Sequence, residues 1–233
     1  MSSFNPGLLR RFFQAFSRLR VVIPTSKGNQ YEFFTFLHVC LTAKRAGLGV
    51  SMKGHKGKYV VRSSPGNLRG PYGYAILTTQ KSTDYELHNG IEIDGQSGMK
   101  HEADLLLLGA RGTAAAGPPR SALLTQELMW AAECKFYSAA SRLKGESRKA
   151  VGVTLDFSLK GHPSLRVGVM SGCLHCGMGF EACFVTNVRQ GLRPDIENYL
   201  DAYRVSPLFG VLPKRNSLRG LHAHARQMLS NLP

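Results

Sequence analysis

Acidic side chains are almost missing from the first third of this chain. Residues 1 to 83 contain a single one, Glu32, against thirteen Lys and Arg. A segment this poor in acids has no carboxylates to neutralise its own cations, so it repels basic partners and attracts anionic ones. Cysteine is also sparse, at five, and an odd count argues against a disulfide framework; a reducing, intracellular setting is expected. No run of eighteen apolar residues occurs, which excludes a membrane-spanning helix. The opening "MSSFNPGLLRRFFQAFSRLR" lacks the continuous apolar stretch and small-residue cleavage site of a secretory signal. Its Arg-rich, acid-free composition suits an amphipathic basic helix in a cytoplasmic protein, and a mitochondrial transit peptide, hence a matrix location, is the alternative.

The charge that is present is unevenly spread. Lys plus Arg total 30 and Asp plus Glu 15, a net charge of +15, and ten of the acids fall within residues 84 to 156. Basic ends around an acidic middle point to a polyanion partner, most often nucleic acid. With 233 residues and 43% hydrophobic content, the chain can bury a core as one domain with appendages.

Leu8, Leu9, Phe12, Phe13, Phe16 and Leu19 recur at helical spacing, with arginines between them. Pro24, Ser26 and Gly28 interrupt, and a second helix is predicted from Gln30 to Ala46, with Phe33, Phe36, Leu37, Cys40 and Leu41 on one face and Glu32 at its edge. Strand patterns follow in "GKYVVRSS", "GYAILTTQ" and "DYELHNGIEID", the last a strand or a hairpin about its "NG". "HEADLLLL" and "LMWAAECKFY" are further strands, separated by the Gly/Ala/Pro-rich "GARGTAAAGPPRSA". A helix is expected over 141–150, strands at "SLRVGVM" and "ACFVTNV", and a largely helical tail from Asp195. The expected organisation is a basic amphipathic arm over residues 1–29, an α/β core over 30–190, and a helical extension over 191–233 packed on it.

Charges within apolar strands need partners or a ligand, because an unpaired buried charge is costly. Side chains alternate along a strand, so Glu133 and Lys135 share a face while Cys134 points away; likewise Glu102 and Asp104 share a face, with Leu105 and Leu107 opposite. If the two strands are neighbours, Asp104, Glu133 and Lys135 converge. Two carboxylates and one ammonium leave a local negative charge that a cation would balance, and oxygen donors favour Mg²⁺ or Mn²⁺. The plain alternative is a salt-bridged patch at a sheet edge.

The order Glu32, Asp104, Glu133-Cys134-Lys135, on two apolar strands of a basic chain, resembles the PD-(D/E)XK nuclease superfamily, with its restriction-endonuclease-like fold. The resemblance spans about residues 30 to 190 and implies a mixed central sheet flanked by helices and Mg²⁺-dependent hydrolysis of phosphodiester bonds. By that likeness Asp104 and Glu133 ligate the metal, helped by the backbone carbonyl of Cys134. Lys135 aligns the attacking water, and Glu32 binds metal indirectly or holds the geometry, with Glu86 and Glu92 as rival acids. Ala103 stands where the family name has proline, and the long gap between Asp104 and Glu133 requires a loop insertion.

Other features carry less. Cys173 and Cys176 form half of a zinc site, with Cys183, His175 and His162 nearby, but no second pair follows and buried free cysteines are the favoured reading. Cys134 beside Glu133 is read as an inert core cysteine rather than a nucleophile. No phosphate loop is present. "KGHKGKYVVR" and "LPKRNSLRG" are read as loops that contact a nucleic-acid backbone through Lys53, Lys56, Lys58, Arg62, Lys214 and Arg215. The expected function is a metal-dependent DNA endonuclease acting in restriction, defence or DNA processing. A catalytically inactive nucleic-acid-binding protein or nuclease subunit of the same fold is the alternative. Cutting both strands with one site per chain calls for a homodimer or a partner subunit.

Overall fold

Nine strands and five α-helices account for most of the residues that the computed structural model describes: 5–66, 68, 70–95, 99–109, 128–137, 140–158, 181–189, 191–213 and 215–232. The Gly/Ala/Pro-rich segment beyond Gly109, the strand expected at "SLRVGVM", His162, Cys173, His175, Cys176 and Lys214 lie outside the described residues. In chain order the elements are α1 (Pro6–Gln14), β1 (Arg20–Val22), α2 (Lys27–Arg45), β2 (Gly49–Lys53), β3 (Lys58–Val60), β4 (Tyr74–Thr78), β5 (Asp84–Asp94), β6 (Lys100–Gly109) and β7 (Leu128–Lys135), then α3 (Leu143–Ser158), β8 (Glu181–Thr186), α4 (Pro194–Ala202), β9 (Val205–Leu208) and α5 (Arg219–Ser230).

Seven strands make one mixed sheet in the order β2-β4-β5-β6-β7-β8-β9. The pairings from β2 to β7 are antiparallel, and β7, β8 and β9 run parallel. β1 and β3 form a separate parallel pair. The architecture is α/β, a mixed sheet with helices on both faces.

The two faces have separate apolar cores. α2 supplies Phe33, Phe36, Leu37 and Cys40 to one, where they meet Leu87, Leu105, Leu107, Trp130 and Val185 of the sheet. α3 and α4 supply Ala150, Val151, Ile196 and Leu200 to the other, against Leu106, Leu108 and Phe184. Leu105 to Leu108 are therefore all fully buried, on a central strand covered on both sides. Leu105 and Leu107 pack on the side of α2, the helix that carries Glu32.

α2 begins where Ser26 accepts a hydrogen bond from the Asn29 N–H at 3.1 Å, a cap worth about 1 kcal/mol. Its burial is wider than the single face its apolar spacing marks out. From Tyr31 to Ala43 nearly every side chain is buried, with Glu32 and Leu41 partly covered. The cause is that α1 and α5 pack on the outside of the helix while its inside meets the sheet.

The open choice at β5 resolves to a single strand, one helix runs longer than expected, and the largely helical tail also holds a strand. The "NG" of β5 is not a turn: the strand runs through it in one register, Asn89 opposite Leu105 and Ile91 opposite Ala103. Gly90 takes a φ of 62° there, and its pairing with Asp104 drops out of the ladder. The helix expected over 141–150 continues to Ser158, since Val151 and Thr154, on either side of Gly152, go on burying the same face as Ala150. The C-terminal segment is not only helical. It also supplies β9, whose Pro207 is tolerated because β9 is an edge strand.

Candidate active site

The sheet forks where the two charged strands meet. β6 and β7 pair from Leu105 opposite Ala132 to Leu107 opposite Trp130 and, after an irregularity, at Leu108 opposite Leu128. There the ladder ends. β6 stays paired with β5 as far as Lys100, and β7 stays paired with β8 as far as Lys135. Asp104 and Glu133 are the first residues beyond the last shared pair. The Cys134 N–H, past the end of the ladder, donates instead to Oδ2 of Asp104 at 2.7 Å. Lys135 Nζ closes the arrangement, 2.8 Å from Oδ2 of Asp104 and 2.6 Å from Oε2 of Glu133. Two carboxylates that touch one nitrogen are separated by no more than the sum of those contacts.

Alternation along β7 fixes which side chains face the fork. Leu128, Trp130, Ala132 and Cys134 are buried, while Glu133 and Lys135 project to the other face with partial access to solvent. Asp104 is 2% exposed, Glu133 16% and Lys135 23%. Burial pushes the Glu133 carboxyl well up, the charge of Asp104 pushes the same way, and Lys135 opposes both. Burial alone would depress the Lys135 ammonium, but the two carboxylates override it and hold the side chain more firmly protonated than a free lysine. Glu32 reaches the same electrostatic neighbourhood from α2. Its carboxyl is pushed up to about 8, first by burial and then by the Asp104 charge, with Lys135 pulling the other way. Glu102 is raised by burial and by Asp104 as well. Carboxylates outnumber cations here, and each added negative charge makes the next ionisation harder.

The fork opens into a cleft of about 420 Å³ lined by Lys100, His101, Glu102, Glu133, Lys135 and Lys149, among others. Two contributions to it carry no signal in the sequence. α3 walls the cleft with Glu146 and Lys149, which pair at 3.2 Å. His101 Nε2 meets Oδ2 of Asp156, also on α3, at 2.5 Å. Nothing in the sequence joins residues so far apart; only the packing of α3 does.

Of the rival acids, Glu86 is engaged with His88 at 2.9 Å, and Glu92 stands opposite Glu102 in the β5–β6 register. The Cys134 thiol is buried and pushed far up by burial and then by Asp104, the opposite of what a nucleophile needs. Lys53, Lys56 and Lys58 are exposed around the turn joining β2 to β3. Arg62 is placed differently: it is partly buried, with its guanidinium 3.6 Å from the centroid of the Tyr72 ring. That stacking holds the guanidinium against the Tyr72 ring. Arg215 begins a short 3₁₀ turn, Arg215–Leu218, and its side chain is outside the described residues.

Among the described residues no trio of His, Cys, Asp and Glu is gathered closely enough to hold a metal ion. The available donor set is smaller: two carboxylates, Asp104 and Glu133, and the main chain at Cys134. These are hard oxygen donors carrying excess negative charge, which fits Mg²⁺ or Mn²⁺ better than a softer metal. No helix among the described residues is long and apolar enough to cross a membrane. No family model, curated protein or solved structure matches the chain.

Proposed function

We propose that this protein is a metal-dependent nuclease of the PD-(D/E)XK type, hydrolysing phosphodiester bonds in DNA as an endonuclease. The observation that carries the reading is the grip of one ammonium, Lys135, on two carboxylates from diverging strands, Glu133 and the buried Asp104, beside a cleft that Glu133 and Lys135 line. A structural ion pair alone would need one acid per cation. Here Glu102 is a further acid beside Asp104.

Asp104 and Glu133, with the Cys134 carbonyl, would hold Mg²⁺ or Mn²⁺, which when bound makes water more acidic and offsets charge on the phosphate. Lys135, with one N–H left beyond its two carboxylate contacts, orients the attacking water, and its firmly held proton suits it to positioning rather than to acting as a base. Glu32 keeps the α2 side of the site polar while adding little negative charge near neutral pH. The exposed lysines of the β2–β3 turn bind the nucleic-acid backbone without reading sequence. Cleavage of both strands would engage two copies or a partner subunit.

The test is incubation of the purified protein with supercoiled, linear and single-stranded DNA, and with RNA, with and without Mg²⁺. Mg²⁺-dependent cutting of DNA is expected, abolished by Asp104→Asn and by Glu133→Gln with binding retained. Binding without cutting by the parent protein would leave the inactive DNA-binding alternative, and variants that cut at the parent rate would refute the site.

A further inference from the structure

The cleft contains a second polar pair that this chemistry leaves unused. His101 lies near the start of β6, three residues before Asp104, and lines the same cleft as Glu133 and Lys135. Its contact with Asp156 joins the sheet to α3, and the two side chains are 16% and 11% exposed. The backbone is fitted around them. A Cβ at Gly95 would overlap Oδ2 of Asp156 and stand 2.8 Å from Cδ2 of His101, so only glycine lets the chain close over the pair.

Hydrolysis of a phosphodiester moves two protons, one away from the attacking water and one onto the leaving oxygen. Lys135 is committed to two carboxylates. Of the other ionisable groups facing the cleft, Glu146 and Lys149 pair with each other, while Lys100 and Glu102 complete the lining. Of these side chains only His101 presents two ring nitrogens, so that one N–H can bind Asp156 while the other hands on a proton.

We propose that His101, positioned by Asp156, is the proton donor to the leaving group, an inference that rests on the nuclease reading. Nε2–H is donated to Asp156, and Nδ1–H is the proton delivered. As water forms its new bond to phosphorus it gives up a proton to solvent, the bond from phosphorus to the leaving oxygen breaks, that oxygen takes the Nδ1 proton, and the ring recovers a proton from solvent.

The experiment uses a DNA duplex containing a linkage that the parent protein cuts, made once with the ordinary leaving oxygen and once with sulfur in its place. A thiolate leaves without protonation. His101→Ala is expected to slow cleavage of the oxygen linkage about 100-fold or more, while cutting the sulfur linkage near the parent rate. Asp156→Asn, which keeps the neighbour's shape but not its charge, should show the same pattern at smaller amplitude. DNA affinity in EDTA, read by fluorescence anisotropy, should stay at the parent value for both. Equal losses on the two linkages, or no loss on either, would overturn the assignment while leaving the nuclease reading intact. A parent protein that cuts no DNA at all would overturn both.

Discussion

Replacing Glu32 by glutamine removes an ionisable group while preserving the side chain's size, and the structure gives the sign of the result. The folded carboxyl titrates at about 8 instead of 4.5. Between those values the folded chain keeps a proton that the unfolded chain has released, so the parent protein loses stability as pH rises through that window and levels off above it. Moving a titration midpoint by one pH unit corresponds to about 1.4 kcal/mol, so the distance moved here sets a ceiling of about 5 kcal/mol. Glu32 is only partly buried, and relaxation around it reduces that to about 2–3 kcal/mol. For a chain of this length the variant should melt about 5 to 10 °C above the parent at alkaline pH, with little difference below the window. Thermal melts of both proteins in EDTA, across a pH series, measure the gap directly. A gap that does not grow with pH, or a glutamine variant less stable throughout, would mean that Glu32 is a paired carboxylate and that the site has no excess of negative charge.

Three further outcomes are expected. Lys135→Met strands two buried carboxylates and should cost about 3–5 kcal/mol in urea denaturation, with part of the loss restored by Mg²⁺; a variant as stable as the parent would show that the ion pairs are dispensable. Replacing Lys53, Lys56 and Lys58 together by alanine should weaken DNA binding for all sequences and lower the salt slope by up to about three, read by anisotropy at several salt concentrations. Gly73→Ala would place a Cβ 2.5 Å from the Tyr59 ring in the core, and overpacking of that kind should lower stability by about 1–3 kcal/mol in the same urea assay.

The candidate site is legible in the sequence because its residues sit in strands whose apolar character is plain. Alternation alone puts Glu133 and Lys135 on one face, and the leucine run identifies β6 as a buried neighbour. The fold is legible where periodicity is clean, as in α2. It is less so where tertiary contacts decide. β2 is absent from the strand patterns because glycines at 47 and 49 interrupt the sequence where it begins, although Gly49 pairs with Thr78 at the sheet edge. Full burial of α2 depends on α1 and α5, which no pattern within α2 announces. The His101–Asp156 contact depends on where α3 lies across the sheet, and the stacking of Arg62 on Tyr72 on how the chain turns between β3 and β4. These are properties of packing between distant segments, and local sequence carries no record of them.

The fork also makes the sheet a structure of two leaves. One leaf, β2 to β6, is antiparallel and carries Asp104; the other, β7 to β9, is parallel and carries Glu133 and Lys135. They are joined by the short β6–β7 seam, itself interrupted between Leu107 and Leu108. Lys135 already spans the leaves at the point where backbone pairing has run out. A cation held by both carboxylates would be a second staple at that same point, so that loading the site and locking the seam would be one event, and hydrogen exchange along Leu105–Leu108 would slow as the metal binds.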